Sequence, residues 1–164
     1  MEVQIRQIVD EDWSRVREIY LQGIATGQST FETSAPSWEG WNAAHLPFAR
    51  LVAEVENEIQ GWAVLSPVSQ RAVYAGVAEV SVYVAASARG KGVGRQLLNA
   101  LIEHSEAAGI WTLQAGMFPE NIATIALHKS CGFREVGRRE RIGKLDRWRD
   151  TVQMERRSKR VGVD

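Results

Sequence analysis

Two rhythms take turns along the chain: short runs in which apolar and polar residues alternate, and longer ones in which apolar residues recur every three or four positions. Val3 to Ile8 reads as a first strand. Asp10 then precedes an acidic turn, Glu11 and Asp12, and an apolar stripe of Trp13, Val16, Ile19, Tyr20 and Ile24, the pattern of a helix capped at Asp10. Gly27 to Pro36 is a polar loop containing Thr30-Phe31-Glu32-Thr33, and Trp38 to His45 reads as a short second helix. Leu51 to Val55 and Ile59 to Leu65 form a hairpin turning at Glu56-Asn57-Glu58. Val77 to Val84 is β-branched and alternating, with Ala78, Val80, Val82 and Val84 on one face and Glu79, Ser81 and Tyr83 on the other. Val93, Leu97, Leu98, Leu101, Ile102 and Ala108 follow at helical spacing up to Gly109. Trp111 to Ala115 is a further strand. Pro119-Glu120-Asn121 starts a helix that carries Ile122, Ile125 and Ala126 inward and stops at Gly132. Arg134 to Ile142 and Trp148 to Glu155 are the last two strands, and from Ser158 onward nothing is apolar enough to pack, so residues 158–164 are expected to be a mobile tail. No repeat or linker interrupts the series. The pattern predicts one domain over residues 1–157, an α/β (α+β) fold with a mixed sheet of six or seven strands and helices on both faces.

Composition changes this picture little. The 164 residues are 45% hydrophobic and 24% charged, ordinary for a soluble domain with one core. No apolar run approaches a membrane span, and the N-terminus enters a strand without the apolar stretch of a signal peptide, so a cytoplasmic protein is expected. The single cysteine, Cys131, excludes an internal disulfide and reads as a small buried residue at a helix end. His45, His104 and His128 are too dispersed to hold a metal. Formal charge is zero, yet the stretch from Arg134 to Arg160 is rich in arginine. Glu135, Glu140, Asp146, Asp150 and Glu155 interleave with those arginines, which fits an ion-paired strand pair better than a nucleic-acid surface.

The chemistry concentrates between the Val77–Val84 strand and the helix that follows. There, Arg89-Gly90-Lys91-Gly92-Val93-Gly94-Arg95 places three glycines in one turn. Such a turn lets successive N–H groups point the same way, and with the positive end of the helix dipole and the side chains of Arg89, Lys91 and Arg95 it makes a pyrophosphate cradle. A Walker loop would need Ser or Thr after the lysine, but Gly92 follows Lys91. A dinucleotide fingerprint would need an acidic residue ending the next strand, and Trp111 to Ala115 lacks one. The remaining pattern, Arg89-x-x-Gly92-x-Gly94, resembles the acyl-CoA pyrophosphate loop of the GNAT N-acetyltransferases. Asn121-x(6)-His128-x(3)-Gly132-Phe133 is similar to that superfamily's next motif.

Glu79 stands out independently of this resemblance. A carboxylate in the middle of a central strand is expensive to bury without a partner or a water-lined cavity, which makes it a candidate general base; a structural carboxylate satisfied by an arginine is the alternative. The resemblance implies the rest of the site. A strand N–H within Val80 to Val84 would serve the developing oxyanion, and Val82, Tyr83 and Val84 would run beside pantetheine. Asn121 would meet the pantetheine arm, and Ser130 on the same helix joins the cofactor set. His128 stands where many relatives carry a tyrosine. It would protonate or hold the departing thiolate, unless it is a packed helix histidine.

Phe31-Glu32-Thr33 with Pro36, Ala78 to Val84, Leu127-His128-x(3)-Gly132-Phe133 and Lys144-x(2)-Arg147-Trp148-x-Asp150-Thr151-Val152 together resemble the phosphinothricin N-acetyltransferase group over nearly the whole chain. The Trp38-Glu39-Gly40-Trp41 and Ala75-Gly76-Val77 segments are closest to its arsinothricin-resistance branch. The resemblance implies acetyl-CoA as cosubstrate, a homodimer, and acetylation of the α-amino group of glutamate-like amino acids with a tetrahedral head, in a detoxification role. The substrate site would draw on Phe31, Thr33, Arg71, Tyr74, Glu79 and Arg147, with the two arginines reading negative groups. Where many relatives carry Gly before Arg-Trp, this chain has Asp146, which would repel an acidic substrate or brace Arg147. An enzyme for another amine (a polyamine, an aminoglycoside or a protein N-terminus) would call for a more acidic pocket. A regulatory or nucleic-acid-binding module built on the arginine-rich end is the reading from a different class.

Overall fold

The computed structural model describes residues 1–164. Its strands are β1 (Gln4–Gln7), β2 (Leu51–Val55), β3 (Glu58–Pro67), β4 (Val77–Val84), β5 (Thr112–Met117), β6 (Arg134–Lys144) and β7 (Trp148–Arg157); its helices are α1 (Trp13–Ala25), α2 (Trp38–Ala44), α3 (Val93–Ala107) and α4 (Ile122–Ser130). The strands form one sheet in the order β1-β2-β3-β4-β5-β7-β6, antiparallel throughout except between β4 and β5. The mixed seven-stranded sheet with helices on both faces is thus the expected architecture. Glu56 and Asn57 take positive φ in the β2–β3 hairpin, the geometry a tight two-residue turn requires.

Each face of the sheet has its own core. Leu51, Ala53, Ala63, Leu65, Ala78 and Val80 pack against Leu97, Leu98, Leu101 and Ile102 of α3, extended by Leu113, Ala115, Val152 and Met154. On the opposite face Val52, Trp62 and Val64 meet Val16 and Ile19 of α1 and Trp41 of α2. That second core covers only the β2–β3 side of the sheet.

Three local expectations are corrected. Asp10 does not cap α1. Asp12 accepts from the Val9 N–H at 2.8 Å and from Arg6 at 2.8 and 2.9 Å, tying the helix entry to β1, and Arg6 holds its carboxyl below the usual range. Ile122 and Ala126 face outward, Ile122 with 74% of its surface exposed, while Leu127 and His128 take the inner side of α4. That helix is only nine residues long and its first turn lines the cleft, so the stripe facing the sheet is set by its docking angle rather than by its most apolar positions. Residues from Ser158 onward do pack: Ser158 is 4% exposed, its Oγ accepts from the N–H groups of Arg160 and Val161, and Arg157 donates to the carbonyls of Val161 and Gly162. Gly162 lies against Trp111, so polar bonds and one aromatic surface replace the apolar residues this segment lacks. The expected ion pairing of the arginine-rich end is present in Arg134–Glu155, Arg138–Asp150 and Arg156–Glu106.

Candidate active site

The sheet contains one parting. β4 pairs with β3 along seven residues but with β5 only at Val77–Thr112, Ala78–Leu113 and Glu79–Gln114. Beyond Glu79 the two strands diverge, and the β5-facing backbone of Val80 to Val84 is left without a sheet partner. A cleft of about 1060 Å³ opens at this parting, lined from both faces of the sheet.

One side of the cleft is the glycine turn and α3. Gly90 and Gly92 adopt φ of +76° and +84°, the left-handed region, and Gly92 is the N-cap residue immediately before α3. No side chain caps this helix, so the N–H groups of its first turn remain available to an anion. Arg89, Gly90, Gly92, Val93, Gly94 and Arg95 all line the cleft, and Gly94 brings α3 close to Val84 and Leu127. Lys91 and Ser130 do not line it; the Ser130 hydroxyl donates to the Leu127 carbonyl at 2.7 Å instead. Val82 and Val84 face the α3 core, whereas the Tyr83 ring turns the other way. It stacks on Trp62 with ring centres 4.7 Å apart and fits against Gly23, where a Cβ would sit 2.8 Å from the ring. Tyr83 therefore borders the cofactor groove through its backbone and serves the α1 core through its side chain.

Asn121 caps α4, its Oδ1 accepting from the Thr124 N–H at 3.3 Å while its Nδ2 donates to the Gln28 carbonyl at 3.2 Å. His128, one turn after Thr124, is buried at the cleft wall edge-on to Phe133. Its Nδ1 lies 2.7 Å from the Thr124 carbonyl, which only accepts, so Nδ1 carries the proton. Burial pushes the pKa of the ring down, keeping it neutral with its lone pair on Nε2.

The other side of the cleft is the exposed half of the α1-facing sheet surface. Glu79 lies on it at the parting, reachable from solvent but with protein around enough of its carboxylate that desolvation raises its pKa; the field of Arg139 opposes that rise. Across β5 and β7 the same surface continues as Gly116, Gln153 and Thr151, and on β6 as Arg139, the register partner of Thr151. Gly116 carries no Cβ, and one there would lie 3.2 Å from the Gln153 amide, which donates to Thr151 Oγ1 at 3.1 Å. The loop before α2 closes this end: Thr30, Phe31 and Glu32 line the cleft, Phe31 packs edge-on to Phe118 at 4.9 Å, and its ring occupies the space above Gly143. Buried Arg149 anchors the loop. It donates to the Gly27 carbonyl at 3.1 Å and to Gln28 Oε1 at 2.8 Å, and its guanidinium lies 4.0 Å above the Phe118 ring.

Of the expected substrate residues, Glu79 and Phe31 are brought together here. Arg71, Tyr74, Thr33 and Arg147 are not. Arg71 lies over the Tyr74 ring on an exposed 3-10 turn outside the cleft, and Thr33 faces away from the main cavity, near Asp146. Arg147 is held by Asp146 at 3.1 Å and Glu120 at 3.6 Å, so Asp146 braces it and also reaches Arg149. Gln153, Thr151, Gly116 and Arg139 were not anticipated; only the register of the β6–β7 pair places them beside Glu79.

Residues 4–133 match the Acetyltransferase (GNAT) family, and the chain belongs to that family. It is 35% identical over 161 residues to a phosphinothricin N-acetyltransferase of Alcaligenes faecalis, an alignment covering 93% of this chain and 81% of that one. It is 36% identical over 106 residues to an L-methionine sulfoximine/L-methionine sulfone acetyltransferase of Pseudomonas aeruginosa, covering 64% of this chain and 62% of the relative. A phosphinothricin acetyltransferase from Sinorhizobium meliloti, solved in complex with acetyl-CoA, superposes with a TM-score of 0.91 at 28% identity over all of this chain and 92% of the other.

Proposed function

We propose that this GNAT acetyltransferase transfers the acetyl group of acetyl-CoA to the α-amino group of a small glutamate-like amino acid with a tetrahedral head, such as phosphinothricin, methionine sulfone or sulfoximine, or arsinothricin. The observation that carries the reading is the position of Glu79 at the parting of β4 and β5, between an unpaired strand edge and an α3 N-terminus built for phosphate. The names of the relatives support the substrate class.

The cleft fits the cofactor by its own chemistry. The free N–H groups at the start of α3, with Arg89 and Arg95, suit a pyrophosphate, and the unpaired β4 edge suits the amide-bearing pantetheine arm as an added strand would. Acetyl-CoA supplies the acetyl group as an activated thioester. The incoming ammonium must shed a proton before its nitrogen can bond to the acetyl carbon, and Glu79 takes that proton. Its raised pKa brings the carboxylate nearer to the working pH and makes it a better acceptor. Backbone N–H groups in Val80 to Val84 face the oxygen on which negative charge develops. As the carbon–nitrogen bond forms, the carbon–sulfur bond breaks; the sulfur leaves as a thiolate and takes up the second proton, which the nitrogen sheds as it becomes an amide. Neutral His128 holds no proton at Nε2, so it accepts a hydrogen bond from the thiol form and does not act as the main acid.

The test is a free-thiol release assay with acetyl-CoA and phosphinothricin, arsinothricin, methionine sulfone, glutamate and spermidine. Rapid turnover of the tetrahedral-headed amino acids and slow turnover of glutamate and spermidine is expected. A preference for spermidine, or equal rates with glutamate, overturns the substrate class, and no thiol release with any amine overturns the acetyltransferase reading.

A further inference from the structure

Most arginines of the β6–β7 hairpin are committed to carboxylates or, for Arg157, to backbone carbonyls, and of the two whose guanidiniums are not, Arg139 and Arg141, only Arg139 lines the cleft. Asp150 takes Arg138 at 2.7 and 2.9 Å, Glu155 takes Arg134, and Asp146 with Glu120 takes Arg147 and Arg149. Those guanidiniums brace the hairpin and the loops beside it. Arg139 has no hydrogen bond or ion pair within the chain, yet it lines the cleft. Its register partner is Thr151, whose side chain shares its sheet face, and the amide of Gln153 reaches along that face to Thr151. Arg139 thus stands on a floor of neutral donors in the cleft that also holds Glu79, and its charge acts on that carboxylate.

A bare cation in the same cleft as a proton-accepting carboxylate is costly for an enzyme of simple amines, because it repels every alkylammonium that enters. It suits a substrate that brings its own anion. In an α-amino acid the ammonium and the carboxylate sit on one carbon, so a carboxylate facing the nitrogen and a guanidinium reaching into the same cleft match the zwitterion's two charges. The planar fork of Arg139 can take both carboxylate oxygens, with the Thr151 hydroxyl and the Gln153 amide alongside. A head group several bonds further away would lie toward Phe31 and Glu32 instead.

We propose that Arg139 binds the substrate's α-carboxylate and thereby makes the enzyme select α-amino acids over amines that lack one. This rests on the amino-acid reading above and assigns the carboxylate a different partner from Arg71 and Arg147.

The experiment compares wild type, Arg139→Gln and Arg139→Lys on methionine sulfone and on its decarboxylated amine, 3-(methylsulfonyl)propylamine. Calorimetric titration of both compounds in the presence of CoA gives an activity-independent reading. Arg139→Gln is expected to lower kcat/KM for methionine sulfone by about 10–100-fold, mainly through KM, the loss of charge-assisted hydrogen bonds to one anion. Calorimetric affinity for the amino acid falls by a similar factor. The same change raises kcat/KM for the amine, because a repelling cation is gone, and Arg139→Lys recovers part of the amino-acid activity. Equal losses on both substrates, or wild-type binding and turnover that do not distinguish them, overturn the role of Arg139 while leaving acetyl transfer intact. A wild type that neither binds nor acetylates any amino acid in the panel brings down both readings.

Discussion

One face of the sheet is two different surfaces. On its β2–β3 half, Trp62 is 1% exposed, its indole donates to the Val16 carbonyl at 3.1 Å, and the rings of Trp41, Tyr20 and Tyr83 surround it. On its β5–β7 half, the same alternation presents Glu79, Gly116, Gln153, Thr151 and Arg139, and no helix lies over them. The boundary runs through β4 itself. Tyr83 and Glu79 point to the same side, four residues apart, yet one is packed beneath α1 and the other stands in the cleft. Strand geometry decided only which side each residue faces. The reach of α1 and α2 decided whether that side is core or active site.

Exchanging residues on the two halves should therefore give opposite phenotypes. Glu79→Gln is expected to have the largest effect, a fall in kcat of about 10²–10⁴-fold measured at neutral pH, with little change in acetyl-CoA affinity. Stability should hold or rise slightly. A carboxyl whose pKa is raised by folding costs stability once pH exceeds its unfolded value, and the amide removes that cost. Near-normal turnover would make Glu79 structural.

Trp62→Ala on the covered half should reverse the pattern. Thermal and denaturant unfolding should show a loss of about 3–5 kcal/mol, while kcat per folded molecule stays within a few-fold of wild type. A comparable collapse of kcat would mean that the two halves are coupled.

Gly92→Val tests the cofactor side of the cleft. The residue sits at φ +84° with nothing within 4 Å of an added Cβ, so the damage comes from driving the start of α3 out of the left-handed region rather than from a clash within the chain. Affinity for acetyl-CoA should drop at least about tenfold by calorimetry, with only a small shift in Tm. Unchanged affinity would remove the glycine turn from the cofactor site.

The pH profile sharpens the open half further. Activity requires unprotonated Glu79, so kcat/KM should fall as pH drops through a pKa above the carboxyl's ordinary 4.5. Arg139 holds that pKa down, and Arg139→Gln should move the acid limb to higher pH. A limb that stays put would place Arg139 too far from Glu79 to matter. The smallest effect is expected from His128→Phe, a loss in kcat of less than about tenfold, because the neutral ring is not the principal acid. A loss matching that of Glu79→Gln would restore His128 as the proton donor to sulfur.

The order of elements, the faces of β4, the hairpin at Glu56 and Asn57, the glycine turn and the candidacy of Glu79 and His128 all follow from the sequence. Each depends on residues close together in the chain: a period of two, a period of three to four, or glycines where φ must be positive. The outward turn of Ile122 and the docking of the tail on Trp111 do not, because their partners lie elsewhere in the chain. The substrate floor was the least legible. The pairing of β6 with β7 slips between Glu135 and Gly137 and again between Arg139 and Gly143, with Arg141 at φ +46°. An irregular register breaks the period of two, so counting along β6 cannot tell which arginine faces the cleft. Local periodicity thus determined the strand that carries the base and the turn that suits the cofactor. Which cation shares the cleft with that base was decided only when β5, β7 and β6 paired in their slipped register. Side-chain facing across a sheet is set by long-range hydrogen bonds that no stretch of sequence contains.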